Sequence, residues 1–257
     1  MKINEKFAFL GLLLVFHTSF LKGQSDLFGN QQIVDNTIPN ACFVSTADLD
    51  NDGDLDILAA AHEPCKLVWY KNDGCGNFDN ENLIVTTSIS IWSACTADID
   101  NDGDLDVFSA SVSDGKLTWY ENDGNGNFGT EQIIYTNIIG TFLVYAADLD
   151  KNGYTDIIAI SCYYNKIVWC KNKGNKKFEE KHIFHIEEVK HGITCLNISD
   201  LDCDSDLDIL IGNGKKILWL ENNGNGIFSK PKTLLKLAIP CHYFNIANLN
   251  NKHKLDI

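Results

Sequence analysis

Arginine is absent from the chain. All 21 basic residues are lysines, set against 35 acidic residues, and the formal charge is −14 with a pI near 4.8. There is no basic patch either, so the electrostatic footprint of nucleic-acid binding is missing. Long hydrophobic runs are lacking too. Phe7 to Phe16 is ten residues without a polar side chain, half the ~20 that a membrane-spanning helix needs. Lys2 and Lys6 precede it, and small and polar residues follow through Gly23 and Gln24. Residues 1–24 therefore read as a secretory signal, with an uncleaved anchor as the alternative. Catalytic signatures are missing as well: no Gly-x-Ser-x-Gly, no His-Glu-x-x-His and no phosphate loop. The seven histidines follow no period. The nine cysteines, an odd number, contain no Cys-x-x-Cys pair, which argues against zinc. They do not recur at one repeat position; they are either small packing residues or members of unassigned disulfides formed after export.

What the sequence does contain is one nine-residue stretch, repeated. It runs Asp48, Leu49, Asp50, Asn51, Asp52, Gly53, Asp54, Leu55, Asp56. It returns with Asp98, Asp100, Asp102, Asp104 and Asp106, then with Asp148, Asp150, Asn152, Tyr154 and Asp156, then with Asp200, Asp202, Asp204, Asp206 and Asp208. A decayed fifth copy spans Asn248 to Asp256. Successive copies start about 50 residues apart, and a fixed period of that size means a repeat architecture.

Five carboxylates in nine residues repel one another. Two like charges 4 Å apart cost roughly 4 kcal/mol at an effective dielectric of ~20, and no lysine cluster adjoins copies one and two in the sequence. A hard divalent cation would offset the repulsion, and Ca2+ accepts about 6–8 oxygen ligands in a flexible geometry. The side chains at positions one, three and five can converge if the chain bends sharply at Gly53 and Gly103. The carbonyl of position seven and the carboxylate of position nine would complete the shell. An EF-hand begins similarly but needs Glu at position twelve, where this chain has Ala59, Ser109, Ala159 and Ile211. The alternative is an acidic solvated turn. Asn152 and Lys151 weaken the third site, Ser205 replaces the bend glycine of the fourth, and the fifth loop reads as empty.

Each repeat carries a second landmark, Trp69 to Phe78, Trp119 to Phe128, Trp169 to Phe178 and Trp219 to Phe228, an aromatic strand running into an Asn-x-Gly turn. Four short strands per repeat are predicted, in the first copy Cys42 to Ala47, Asp56 to Ala61, Lys66 to Lys71 and Asn82 to Thr86. The second and third are apolar on both faces, as in sheets stacked around an axis. The tryptophans read as packing residues between sheets.

These two motifs, in register over four copies, resemble FG-GAP/VCBS-type repeats, the calcium-binding propeller repeats of integrin α-subunit head domains and many bacterial secreted proteins. The resemblance covers residue 28 onward. It implies an all-β propeller of four-stranded blades, with Ca2+ in the loop between the first two strands. Residues 25–257 then hold a leading strand near Gln31 to Asn36, four complete repeats and a truncated fifth, an incomplete propeller whose leading strand could complete the last blade and whose open edges invite self-association. No nucleophile constellation is present, so an enzyme is not expected. The remaining readings are a secreted binding or adhesion module for a carbohydrate or protein ligand, with fungal lectins of similar blades as the analogy, and a structural or accessory module of a larger exported enzyme. Acidic loops and Asn-x-Gly turns should share one end of the blades. The opposite end carries non-repeating residues, among them Trp92, Tyr163 and Tyr164 as candidate ligand contacts.

Overall fold

The computed structural model describes residues 31–86, 90–136, 138–161, 163–185 and 192–246. The expected signal segment and the fifth acidic loop lie outside the described residues. Every described element is a strand, and the sixteen strands form four four-stranded antiparallel sheets, each paired in chain order. The first sheet holds β1 (Ala41–Ala47), β2 (Asp56–His62), β3 (Cys65–Tyr70) and β4 (Asn82–Thr86). The second holds β5 (Ile91–Ala97), β6 (Asp106–Ser111), β7 (Leu117–Tyr120) and β8 (Gln132–Tyr135). The third holds β9 (Thr141–Ala147), β10 (Asp156–Ser161), β11 (Lys166–Asn172) and β12 (Phe178–His185). The fourth holds β13 (Ile193–Ser199), β14 (Asp208–Asn213), β15 (Lys216–Leu220) and β16 (Lys232–Lys236).

The sheets stack as blades because their middle strands are apolar on both faces. Alternate residues of a strand point to opposite faces, and in β6, β10 and β14 both sets are buried. Leu58, Ala60, Leu67 and Trp69 of the first blade meet Ile91, Val107 and Tyr120 of the second. Phe108, Leu117 and Trp119 meet Ile157, Ala159 and Val168 of the third. Ile158, Ile167 and Trp169 meet Ile209, Ile211 and Leu218 of the fourth. The first strands lie innermost: Tyr145 Oη of β9 donates to the Leu196 carbonyl of β13 at 2.8 Å. The fourth strands form the rim and are only partly covered. No strand pairing joins the first sheet to the last among the described residues.

The tryptophans seal the boundaries. A Cβ added to Gly126, in the turn of the second blade, would meet the Trp69 ring at 2.3 Å; one added to Gly226 would meet Trp169 at 2.1 Å. Each turn thus lies flat on the tryptophan of the preceding blade. Lys176 replaces the glycine in the third blade, and its ammonium sits 5.5 Å from the centre of the Trp119 ring.

The expected leading strand does not form. Residues 31–40 are irregular and cross the outer face of the first blade. Tyr70 Oη donates to Asp35 at 2.7 Å, and Ile38 packs against Ala59, Val68 and Tyr70. Among the described residues no other sheet packs on that apolar face, and segment 31–40 lies there instead. At the other end Cys241 and Phe244 cover Leu210 and Ile217.

Candidate metal centres

The acidic loops join the first and second strands of each blade, and the Asn-x-Gly turns join the third and fourth, at the same end. The position-nine carboxylate ties them together. Asp56 accepts from the Leu49 amide at 2.9 Å and from the Asn72 amide at 2.8 Å. Asp106, Asp156 and Asp208 repeat both bonds in their own blades. All four carboxylates are fully buried. Burial pushes Asp106 up to about 7 and Asp156 up to about 6 against the pull of these amides, and raises Asp56 and Asp208 as well.

Position one shapes the loop itself. Asp48 accepts from the amides of Asp52 and Gly53 at 3.2 and 3.0 Å, and Asp98, Asp148 and Asp200 do the same. Position five accepts from the amide of position seven: Asp52, Asp102, Asn152 and Asp204 at 2.8–3.0 Å. The sharp bend is real. Gly53 and Gly103 have φ of +94° and +98°, and Ser205 is held at +74°, a region unfavourable to a residue with a Cβ.

Position three is different. Asp50, Asp100 and Asp150 each bury one carboxylate oxygen, Oδ1, with no hydrogen-bond partner. A buried oxygen anion without a donor is costly, and a cation is the group that fits. Carboxylate oxygens within 4.8 Å of one another come from Asp48, Asp50 and Asp56 in loop one, and from Asp98, Asp100 and Asp102 in loop two. Loop three supplies Asp148, Asp150 and Asp156, and loop four Asp200, Asp202 and Asp204. These four clusters could hold a metal ion.

The position-seven side chains stand outside the clusters. Asp54, Asp104 and Asp206 lie where a Cβ on Gly74, Gly124 or Gly224 would be, and Tyr154 lies likewise over Gly174. Asp104 accepts from Asn51 of the preceding loop at 2.6 Å, and Asp206 pairs with Lys151. Position four of one loop therefore reaches the next loop; Asn101 does so through the Gly153 carbonyl at 3.0 Å.

Two expectations from sequence change here. Lysines do reach the first two loops: Lys71 pairs with Asp50 and, at 2.8 Å, with Asp52, and Lys176 pairs with Asp100 at 3.0 Å. Both come from turns distant in sequence. Lys171 repeats the contact on Asp150, whereas Glu121 and Glu221 hold the same repeat position in the second and fourth blades. The turn asparagines also do more than turn the chain. Asn122 donates to the carbonyls of Leu49 and Leu105 at 2.8 and 2.9 Å. Asn172 and Asn222 repeat this toward Ile99 and Leu149 of the preceding blade. Their recurrence at one position in four copies was the available signal.

At the opposite end, Trp92 stacks on His62 at 5.1 Å and tilts against Phe142 at 6.1 Å, so it joins three blades. Tyr163 and Tyr164 are 68% and 51% exposed. Tyr163 lies over Gly140, and Lys166 approaches the Tyr164 ring at 5.8 Å.

No curated protein matches the chain. Solved structures do. An Agrocybe aegerita lectin, described by its specific recognition of non-reducing terminal N-acetylglucosamine, is 20% identical, with a TM-score of 0.59 over 77% of this chain and 53% of the lectin. BBS1N in complex with ARL6DN is 12% identical, with a TM-score of 0.51 over 77% of this chain and 58% of that one. The Photorhabdus luminescens Tc holotoxin pore is 16% identical, with a TM-score of 0.50 over 84% of this chain and 10% of that one. The chain thus spans about half the length of the lectin and a tenth of the toxin chain. At these identities the likeness establishes the fold. The family model for the FG-GAP-like repeat matches residues 48–109, 100–159 and 148–211. Each segment begins in one acidic loop and ends in the second strand of the next blade, and together they cover more than half of the chain, so the chain belongs to the FG-GAP-like repeat family.

Proposed function

We propose that the chain is an exported, calcium-binding propeller module that binds a carbohydrate or protein ligand and is not itself an enzyme. The orphaned buried oxygens of Asp50, Asp100 and Asp150 carry the calcium reading. The side chains at positions one, three and five, with the position-nine carboxylate behind them, would hold the ion. Bound calcium would supply positive charge to a cluster that otherwise repels itself. The position-nine carboxylates hold loop to turn, and the turn asparagines hold that pair to the preceding blade. Calorimetric titration with calcium, paired with melting in chelator, tests this. Uptake of several ions and a lower melting temperature in chelator support it; no uptake and an unchanged melt refute it.

For the ligand, the exposed Tyr163 and Tyr164, with Trp92 at the same end of the blades, support a face away from the acidic loops, where the repeat pattern lapses. Exposed aromatic rings suit a sugar or a protein surface, and the lectin likeness favours carbohydrate by analogy. Glycan-array screening tests it, followed by single alanine substitutions. Lost affinity at constant melting for Tyr163 or Tyr164 supports the face; unchanged affinity in all three variants removes it. The second reading is a structural or accessory module of a larger exported enzyme. It is favoured by the occurrence of this fold within a tenth of the toxin chain.

A further inference from the structure

Cys195 and Cys241 meet in the interior. Their sulfurs are 3.8 Å apart, and the residues are 4% and 6% exposed. Cys195 lies in β13 of the fourth blade; Cys241 belongs to the irregular stretch that follows β16 and covers that blade. The space for both sulfurs is provided by Gly212 of β14. A Cβ there would meet Cys195 Sγ at 2.3 Å and Cys241 Sγ at 3.4 Å. Gly212 pairs with Cys195 across the sheet, and the equivalent position carries Ala60, Ala110 and Ile160 in the other blades. Glycine inside a strand weakens it unless something else needs the room. The stretch is fixed by other bonds as well: Thr194 Oγ1 donates to the Cys241 carbonyl at 2.7 Å, and the Cys241 amide donates to the Gly214 carbonyl at 2.6 Å.

We propose that Cys195 and Cys241 form a disulfide that fastens the start of the fifth repeat to the fourth blade. The sulfurs already touch, and closing them to the ~2.05 Å bond requires a shift of under about 2 Å. The reaction needs an oxidant, and a low-molecular-weight disulfide such as oxidised glutathione serves. The thiolate of one cysteine attacks that disulfide and releases one small thiol. The second cysteine then displaces the other, so that two protein S–H bonds become one S–S bond and the oxidant leaves as two thiols. Burial raises the Cys195 thiol to about 12, which keeps the fraction of attacking thiolate small while the interface is closed. Its closed loop spans 46 residues of sequence separation, and it stabilises chiefly by restricting the unfolded chain.

The full chain, folded in a glutathione redox buffer, provides the test. Free thiols are blocked under denaturing conditions, and the protein is mapped by peptide mass spectrometry without reduction. The expected result is one peptide containing Cys195 joined to one containing Cys241, lighter by about 2 Da than the two reduced peptides together. The melting temperature should fall by about 5 °C on reduction, and Cys195→Ser should show no such fall. Complete alkylation of both cysteines, or pairing of either with a different cysteine, overturns the proposal. The peptide map is made on the unaltered chain, so it stands even where the serine variant fails to fold.

Discussion

Asn122 in the second blade donates its side-chain amide to the main-chain carbonyl of Leu49 in the first, at 2.8 Å. The same amide group bonds the Leu105 carbonyl of its own loop. Asn122→Ala leaves both carbonyls unpaired in a buried site, at about 1–3 kcal/mol for each lost partner. We expect a loss of about 2–4 kcal/mol and a melting temperature lower by roughly 5–10 °C. Asn72, whose side-chain NH2 donates to the Leu55 carbonyl of its own blade at an exposed site, is the control, and Asn72→Ala should cost less. Equal losses in denaturant melts would show that the bond between blades adds nothing.

Gly126 and Gly76 occupy the same turn position, with φ of +74° and +83°. Alanine at either position pays the left-handed strain of about 1–2 kcal/mol. Only at Gly126 would the methyl also strike a tryptophan, since nothing lies within 4 Å of the Gly76 position. Gly126→Ala should therefore be less stable than Gly76→Ala by about 1–3 kcal/mol. Parallel urea melts of the two variants check this, and indistinguishable midpoints would sink it.

Lys71 competes with calcium for the first loop. Its ammonium lies against Asp50 and Asp52, whose hydrogen bonds raise its pKa, so it is charged throughout the neutral range. Removing a unit charge about 4 Å from a divalent cation relieves ~2 kcal/mol in water. Lys71→Gln should therefore tighten calcium binding at that loop roughly thirtyfold. The check is calorimetry at fixed ionic strength, with Lys230→Gln as a surface control; unchanged or weaker binding would count against competition.

Two carboxylates of the second loop should separate metal holding from structural support. Asp100→Asn removes the orphaned oxygen's charge, so it should abolish one calcium equivalent while leaving stability in chelator unchanged or higher. Asp106→Asn places an N–H group against one of two amide donors that the carboxylate now satisfies. It should cost about 2–3 kcal/mol even in chelator. Identical behaviour of the two variants, in calcium titration and in chelator melts, would erase the distinction.

The blade pattern was legible because burial on both faces of the middle strands leaves its mark directly in the sequence. The four strands predicted for the first repeat match β1 to β4 to within one residue at each end. The carboxylate clusters were legible from spacing alone. What local sequence could not carry were the long-range meetings. Lys176 approaches Asp100 from the next blade, a contact that depends on how blades stack. The repeat predicts a strand near Gln31 to Asn36, but residues 31–40 are irregular and settle on an apolar face of the first blade, a contact that no local pattern encodes. Nor does spacing say where a position-seven side chain goes: Asp104 turns toward Asn51 of the preceding loop.

The seating of Gly126 on Trp69 has a bearing on synthesis. A ribosome delivers the tryptophan of a blade first and the turn that lids it about one repeat later. Through that interval each newly made blade shows an indole to the surroundings, and its predecessor has just lost one from view. In order of synthesis, then, the residues that cover each indole are made about one repeat after the indole itself.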